Sequence, residues 1–339
     1  MSAAPGASLR SLPCHGLERR RRSLVSAAWL LCLASLGAQA AEPLPPAEAA
    51  AWLQRMADAS RRLAYEGVFV FQHGDSAMQS LRVANRPVAT GKDSRLTAMD
   101  GLQREVRCTQ SGSLSLLTEG GEVRAERRLN SRHFPDLLPA NAAALANWYS
   151  VRLGEASRVA GLDCQEVQLE PRDAYRWGYL LCAEKNTALP LKAAMVNEAG
   201  HTLMQYRFAE IRLGAPPKNV AAPLPEMPAA ARPVATESVG VRSLPPGYTR
   251  ITAVKRKLPN RGDEVEHWVF SDGLTHISLF IEPARQPVES VRGQSKLGMI
   301  NMLTRQVGPM RTTVLGDAPW PAVEAIAMNL EARPAGAPR

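Results

Sequence analysis

The segment YEGVFVF, residues 65–71, decides the fold of this chain. Its valines and aromatic residues favour an extended strand. Val68 and Val70 fall on one face of that strand, whereas Phe69 and Phe71 fall on the other. A strand that is apolar on both faces has to be covered on both faces. The segment therefore predicts a curved sheet wrapped around another apolar element.

That element is predicted immediately before the strand. Residues 47–63 carry apolar side chains at roughly helical spacing, with charged residues between them, which predicts an amphipathic helix. After residue 71, short β-prone segments alternate with polar turns, a pattern typical of an antiparallel sheet. These further strands are predicted at residues 80–83, 114–117, 159–169, 177–182, 191–196 and 204–213.

A proline-rich stretch, residues 214–240, predicts a semi-extended linker between residues 41–213 and a second domain at 241–332, followed by a tail at 333–339. In the second domain, Asp272-Gly273 between β-prone runs predicts a two-residue hairpin turn. That hairpin places Trp268, Phe270, Ile277 and Leu279 on its core face. Strands at 298–307 and 311–315 and a helix at 321–330 complete the prediction, although 299–303 also fits a helix. The predicted class is α+β, mainly β.

Residues 1–40 have the organisation of a secretory signal peptide. Arg10 and the arginines at 19–22 precede an apolar run at 24–36, and Ala38-Gln39-Ala40 suits signal peptidase. The run is too short to cross a bilayer comfortably, so cleavage after Ala40 is favoured over a retained anchor. The long charged leader leaves the start codon and the export route open. We expect a periplasmic protein.

The charge of the mature chain limits its partners. Cleavage leaves 36 Lys and Arg against 31 Asp and Glu, a net charge near +5. This mild excess favours anionic partners such as lipid headgroups or an acidic protein segment. It contains no concentrated basic run, so nucleic acid is not an expected partner.

Three cysteines remain after cleavage, in a compartment that permits disulfides. Residues 162–170 and 176–183 read as two strands around the turn Pro171-Arg172-Asp173. In a hairpin centred on Asp173, Cys164 and Cys182 face each other at bridging distance. The alternative is a pair of buried thiols. Cys108 is left unpaired, and burial is its favoured fate.

The sequence lacks the common catalytic and cofactor motifs. It has no Gly-x-Ser-x-Gly, Ser-x-x-Lys, His-Glu-x-x-His or Cys-x-x-Cys pattern and no phosphate-binding glycine loop. His267 and His276 fall on one face of the predicted hairpin, but a zinc site requires more ligands than these two residues supply. We expect no enzyme, cofactor or metal; the two histidines are expected to be exposed, with a pH-sensitive surface as the alternative.

An ordered set of short motifs resembles the RseB/MucB family of periplasmic regulators. In the N-terminal half the set comprises residues 65–74, Asp100-Gly101 with 104–106, and 171–173 with 177–179. In the C-terminal half it comprises 244–248, 267–274 and 300–305. The resemblance covers nearly all the mature chain in the same order.

This resemblance implies a lipoprotein-carrier-like N-terminal fold, an unclosed antiparallel barrel enclosing a helix, plus a smaller C-terminal antiparallel sheet with a helix. It implies binding to the periplasmic part of a RseA/MucA-type anti-sigma factor, protection of that partner from site-1 proteolysis, and release on binding lipopolysaccharide or another acyl lipid. It also makes a homodimer the default. The alternative is a periplasmic lipid or lipoprotein carrier.

Residue-level expectations follow from both lines of reasoning. The hollow of the N-terminal sheet is expected to take acyl chains, with the lining residues Phe69, Phe71, Trp148 and Tyr179. Aromatic side chains at such positions also serve as ordinary core. His267 and Arg305 are placed near the anti-sigma surface, with a turn-capping or charge-neutralising role as the alternative for Arg305.

Overall fold

A computed structural model describes residues 42–88, 91–109, 112–119, 122–128, 132–214, 232–234, 237–257, 264–287, 289–294 and 299–333. The predicted signal peptide lies outside these residues, as do 215–231 of the predicted linker and 334–339 of the predicted tail. No helix in the described part of the chain is long and apolar enough to span a membrane. The described residues form a large and a smaller antiparallel sheet, each with its own hydrophobic core.

The N-terminal domain is an eleven-stranded sheet with one long helix. Its strand order is β6-β5-β4-β3-β2-β1-β11-β10-β9-β8-β7, so β6 and β7 are edges and the sheet is unclosed, as predicted. The elements are α1 (Pro46–Arg62), β1 (Tyr65–His73), β2 (Gln79–Val88), β3 (Gly91–Ala98), β4 (Gln103–Thr109), β5 (Gly112–Glu119), β6 (Glu122–Arg128), a 3-10 helix (Ala142–Asn147), β7 (Tyr149–Val159), β8 (Leu162–Pro171), β9 (Gly178–Glu184), β10 (Pro190–Val196) and β11 (Thr202–Leu213).

Helix α1 supplies the apolar element that the strand pattern required. Pro46 opens it, where the missing N–H costs nothing, and Arg61 and Arg62 occupy its last turn. Leu53 and Met56 are fully buried and belong to the same core cluster as Phe69 of β1. The predicted helix and its burial are confirmed.

Strand β1 is covered less completely than predicted. Tyr65, Gly67 and Phe69 are buried, but Val68 and Val70 on the opposite face are only half-buried. Val68 and Val70 stay partly exposed because the neighbouring strands place arginines beside them, Arg82 beside Val68 and Arg207 beside Val70. The outer face of the sheet is therefore a charged face with partial access to water.

Strand boundaries and register also differ from prediction. The predicted strand at 159–169 is divided by a turn at Ala160 and Gly161, whose φ angles of 48° and 81° are left-handed. Strands β3, β4 and β6 were not predicted, and β7 was predicted only at its last residue, Val159. Between β8 and β9, Cys164 pairs with Glu184 instead of with Cys182, so the predicted register of this hairpin is wrong.

The C-terminal domain is a seven-stranded sheet in the order β12-β14-β15-β16-β19-β18-β17, with a separate pair of β13 and β20. Residues 301–307 are extended, so the helical alternative for 299–303 is wrong. The elements are β12 (Arg232–Pro233), β13 (Val239–Val241), β14 (Thr249–Lys257), β15 (Glu264–Ser271), β16 (His276–Pro283), β17 (Val291–Gln294), β18 (Asn301–Val307), β19 (Met310–Gly316), α2 (Trp320–Met328) and β20 (Leu330–Ala332).

The β15–β16 hairpin has the predicted core face but a longer turn. Trp268, Phe270, Ile277 and Leu279 are at most 1% exposed, which confirms the face. Ser271 pairs with His276, so four residues form the turn in place of two. The carboxylate of Asp272 explains the difference, because its Oδ1 accepts the N–H groups of Leu274 at 2.9 Å and Thr275 at 2.8 Å.

Candidate functional site

A buried ion pair joins the two domains. Arg176 lies in the loop between β8 and β9, and both its side chain and that of Asp272 are 0% exposed. Arg176 Nε lies 3.4 Å from Asp272 Oδ2, while the same guanidinium donates hydrogen bonds to Asp173 in its own loop and to the carbonyl of Pro246. Two buried charges cost several kcal/mol to desolvate unless they are well paired. Each domain therefore supplies a counter-charge to the other, although Arg176 Nε and Asp272 Oδ2 form no hydrogen bond with each other.

Aromatic rings enclose the guanidinium. Arg176 lies 4.8 Å from the Trp148 ring centroid and 5.6 Å from that of Tyr248, distances at which a cation is attracted to a ring face. Gly247, between Pro246 and Tyr248, has φ +78°, and a Cβ there would approach Trp148 Cε2 to 2.6 Å. Only glycine fits this turn, because the two domains meet directly over it.

Further hydrogen bonds cross the same contact. Trp177 Nε1 donates to the carbonyl of Asp317 at 2.9 Å, and Tyr248 Oη donates to the carbonyl of Tyr175 at 2.9 Å. Arg132 donates to the carbonyl of Gly273. We call this contact, built around Arg176, Trp177, Tyr248, Asp272 and Asp317, the domain junction.

The domain junction shifts the protonation of its neighbours. Burial raises the pKa of Asp317 to about 6; the N–H of His276 lowers it, and the charge of Asp272 raises it further. Burial, and then the charge of Arg132, lowers the pKa of His276 to about 4. The pKa of His267 is likewise lowered to about 4 by burial and then by Arg256. Both histidines are half-buried. The expectation of exposed histidines is wrong, and the lowered pKa values give no support to the alternative of a pH-sensitive surface.

Two of the predicted lipid-binding residues belong to an aromatic cluster inside the N-terminal sheet. Phe69 is 1% exposed and packs edge-on against Phe134 at 5.0 Å. Phe71 is half-buried and stacks on Tyr206 at 4.9 Å, and Tyr206 in turn stacks on Phe134 at 5.2 Å. Phe69 is therefore packed as core, whereas Phe71 is partly accessible.

Of the other two predicted lipid-binding residues, Trp148 lies at the domain junction and Tyr179 lies in the N-terminal core, where its ring packs against Tyr149. Trp148 covers the Arg176 guanidinium. Tyr179 is 8% exposed, and its pKa is raised by burial and then by the charges of Asp272 and Asp317. The four aromatic residues thus have two different surroundings, and their contact with lipid stays a prediction.

The predicted anti-sigma residues make internal contacts in the C-terminal domain. His267 stacks on Phe280 with ring centroids 4.4 Å apart, and its Nε2 lies 3.0 Å from Ser278 Oγ. Arg305 Nη1 donates to the carbonyl of Ala327 at 3.0 Å, near the end of α2, where a cation suits the helix dipole. This contact corresponds to the capping alternative for Arg305. A role of either residue in partner binding stays a prediction.

A disulfide joins Cys164 and Cys182, with their Cα atoms 5.5 Å apart. The two residues are diagonal neighbours on β8 and β9, because Cys182 pairs with Glu166. Adjacent strands are close enough for a bridge at such a diagonal position. Cys108 is a buried free thiol.

Sequence reasoning did not select Arg176 and Asp272. Both lie within or beside motifs that carried the family resemblance, but an arginine in a polar turn and an aspartate before glycine usually indicate only loops. Within the described residues, no group of three or more His, Cys, Asp or Glu side chains could hold a metal ion.

The fold and the domain junction define a two-domain, mainly antiparallel-sheet protein in which one domain's loop is anchored in the other. Profiles of the MucB/RseB N-terminal and C-terminal domains match residues 48–230 and 234–331. The chain belongs to the MucB/RseB family.

Named relatives agree with this assignment over most of their length. The chain is 30% identical to the sigma factor AlgU regulatory protein MucB of Pseudomonas aeruginosa, over 89% of this chain and 96% of the relative. It is 25% identical to the sigma-E factor regulatory protein RseB of Escherichia coli K12, over 83% and 90%. These relatives are regulatory proteins by name.

Solved structures extend the likeness to three dimensions. The complex structure of Pseudomonas aeruginosa MucA/MucB matches with a TM-score of 0.68 and 27% identity, over 85% of this chain and all of that chain. The crystal structure of MucB matches with a TM-score of 0.57 and 26% identity, over 85% and 98%. Both domains take part in the match.

Proposed function

We propose that this protein is a negative regulator of an envelope-stress sigma factor, which binds the periplasmic part of a membrane anti-sigma factor. The observation that carries the proposal is the match of both domains to MucB in a crystal structure with MucA(peri), at a TM-score of 0.68. The family and the names of the relatives point the same way.

The bound segment is shielded from site-1 proteolysis because the regulator covers it. A ligand that releases the segment has to prefer a different domain arrangement, since a ligand that binds both states equally shifts nothing. The domain junction is the element to be biased, because its buried ion pair favours one arrangement. Lipopolysaccharide or another acyl lipid is the proposed releasing signal, entering near Phe71 and its stacked partner Tyr206.

The remaining parts of the proposal concern setting and form. The chain acts in the periplasm after cleavage near Ala40, works without catalysis or cofactor, and forms a homodimer. Phe69, Phe71, Trp148 and Tyr179 are proposed to contact the acyl chains, and His267 and Arg305 to lie near the anti-sigma surface. Osmotic-shock fractionation, N-terminal sequencing and sedimentation test the location, the cleavage site and the dimer.

The central test uses the purified mature chain and a synthetic anti-sigma periplasmic segment. We expect saturable binding by calorimetry, protection of the segment from site-1 protease, and loss of both when lipopolysaccharide is added. A chain that takes up lipid without binding the segment would be a lipid carrier, and the proposal would be wrong. A chain that binds the segment but keeps it in the presence of lipid would refute the releasing signal alone.

A further inference from the structure

A cleft with a volume of about 390 Å³ opens in the C-terminal domain, beside strand β14 and the end of β20. Its walls combine three charged side chains with three small or cyclic apolar ones: Glu237, Arg250 and Arg333, and Pro233, Val234 and Ala253. An apolar wall with a few convergent polar groups is the usual composition of a ligand site. We call this feature the arginine cleft.

Glu237 bridges the two arginines of the cleft. Its Oε1 lies 2.8 Å from Arg250 Nη2, and its Oε2 accepts a hydrogen bond from Arg333 Nη1 at 3.0 Å. The Glu237 side chain is 10% exposed, whereas those of Arg250 and Arg333 are 37% and 34% exposed. The carboxylate is therefore largely buried between two guanidiniums that still reach solvent. A guanidinium has five N–H donors, so each arginine keeps donors for a further acceptor.

The surroundings hold both guanidiniums in position. Arg250 lies 4.5 Å from the ring centroid of Trp268, which is fully buried, and a cation is attracted to a ring face at that distance. A Cβ at Gly240 would come to 3.0 Å from Arg333 Nε, so the glycine leaves the space in which this guanidinium lies. Donors that are already in place lose less conformational entropy when a ligand binds.

The charge of the cleft favours a monovalent anion. Arg250 and Arg333 carry +2 and Glu237 carries −1, so the lining has a net charge of +1. Glu266 is a buried carboxylate outside the lining, and its Oε1 accepts a hydrogen bond from Ser238 Oγ at 2.6 Å. One carboxylate would neutralise the lining, whereas a phosphate dianion would leave an excess of negative charge beside Glu237.

We propose that the arginine cleft binds a carboxylate of a peptide, with Arg250 and Arg333 as its hydrogen-bond donors. Glu237 already shows that the two guanidiniums accommodate this group, one at each oxygen. Charge-assisted hydrogen bonds of this kind are among the strongest in proteins. The apolar wall, which includes Val234 and Ala253, suits a small apolar side chain next to the carboxylate. An acidic side chain and a C-terminal carboxylate share this chemistry.

The test follows the arginine Nε–H signals of the isotope-labelled mature chain by NMR while peptides are added. One probe is a peptide with blocked ends and a single glutamate between valines, and its control carries glutamine in that place. We expect saturable shifts of the Arg250 and Arg333 signals, with the glutamine peptide bound at least about tenfold more weakly. A valine peptide with a free C-terminus and no acidic side chain distinguishes the two sources of the carboxylate.

Substitutions locate the binding. Arg333→Gln should weaken binding of the glutamate peptide by about tenfold, because one charged donor is lost. Arg311→Gln is the matched control and should leave binding unchanged, since Arg311 is a 44% exposed arginine paired with Glu282 outside the cleft. Glu237→Gln should strengthen binding, because it removes the negative charge that faces the ligand. The comparison of glutamate and glutamine peptides needs no variant, so it holds even if a substitution disturbs folding.

Four results would overturn the proposal. The first is that neither carboxylate peptide shifts the signals of Arg250 and Arg333. The second is that the glutamine peptide binds as well as the glutamate peptide. The third is that Arg333→Gln and Arg311→Gln bind the glutamate peptide equally well. The fourth is that inorganic phosphate binds more tightly than either carboxylate peptide, which would identify a phosphate site. None of these results bears on the binding of an anti-sigma factor, because the proposal does not depend on the proposed function.

Discussion

Arg176→Met should destabilise the protein strongly, because it leaves Asp272 as a buried charge without its cation. The Asp272 side chain is 0% exposed, and its Oδ2 faces Arg176 Nε at 3.4 Å. Breaking a buried pair by removing one partner costs about 3–5 kcal/mol. Methionine keeps most of the side-chain volume, so the loss reports on charge and hydrogen bonding more than on packing. The same substitution also removes the hydrogen bond to the carbonyl of Pro246.

The assay is urea denaturation followed by tryptophan fluorescence, with the free energy of unfolding obtained by linear extrapolation. Arg172→Met is the matched control, because Arg172 is an exposed arginine in the same β8–β9 loop and its loss should cost no more than about 0.5 kcal/mol. The double variant R176M/D272N should recover most of the lost stability, since neither charge of the pair remains while the amide oxygen can still accept the turn N–H groups.

Two results would refute this reasoning. The first is an R176M variant within about 1 kcal/mol of wild type, which would mean that the buried pair contributes little. The second is a double variant no more stable than R176M, which would mean that lost packing, and not an uncompensated Asp272, causes the destabilisation.

Three further predictions concern pH, backbone and covalent structure. Asp317 has a folded pKa of about 6, above the ordinary value of 3.8, so the wild-type protein loses stability as the pH rises through 6. Denaturation at several pH values should show that the stability advantage of Asp317→Asn over wild type grows from pH 4 to 7. A difference in stability that stays constant over this range would contradict the prediction. Gly247→Ala should cost at least about 1 kcal/mol in the same assay, because φ is +78° and the Cβ meets Trp148. Cys164→Ala with Cys182→Ala should lower the free energy of unfolding by about 3 kcal/mol, and mass spectrometry of the wild-type chain without reductant should find the two cysteines joined.

Local sequence patterns correctly predicted the helices and strands in which buried apolar residues recur at a regular spacing. Helix α1 and the core face of β15 and β16 were recovered because apolar residues recur there at the spacing of a helix and a strand. Strand β3, GKDSRLTA, was missed because its sequence is mostly polar, although Ser94 and Leu96 are buried. The β8–β9 register was wrong because the centre of a loop does not determine the pairing of its strands.

The candidate site was much less predictable than the fold. Trp148 and Tyr179 were selected as aromatic residues suited to a hollow, yet both neighbour a charged contact between domains. Arg176 was not selected, because an arginine in a turn is ordinarily solvated. Nothing in its local sequence shows that the other domain supplies a carboxylate, a carbonyl and an aromatic ring around it.

The sequence by itself determined the mainly antiparallel architecture, the helix inside the first sheet, the core face of the C-terminal hairpin and membership of the MucB/RseB family. These features depend on the spacing of apolar residues and on ordered motifs, and both can be read directly from the amino-acid sequence. Only the tertiary structure decided that Arg176 and Asp272 meet and that Gly247 lies directly against Arg176 and Trp148. Such contacts join residues distant in sequence, and a buried charge is tolerated only where folding brings its partner to it.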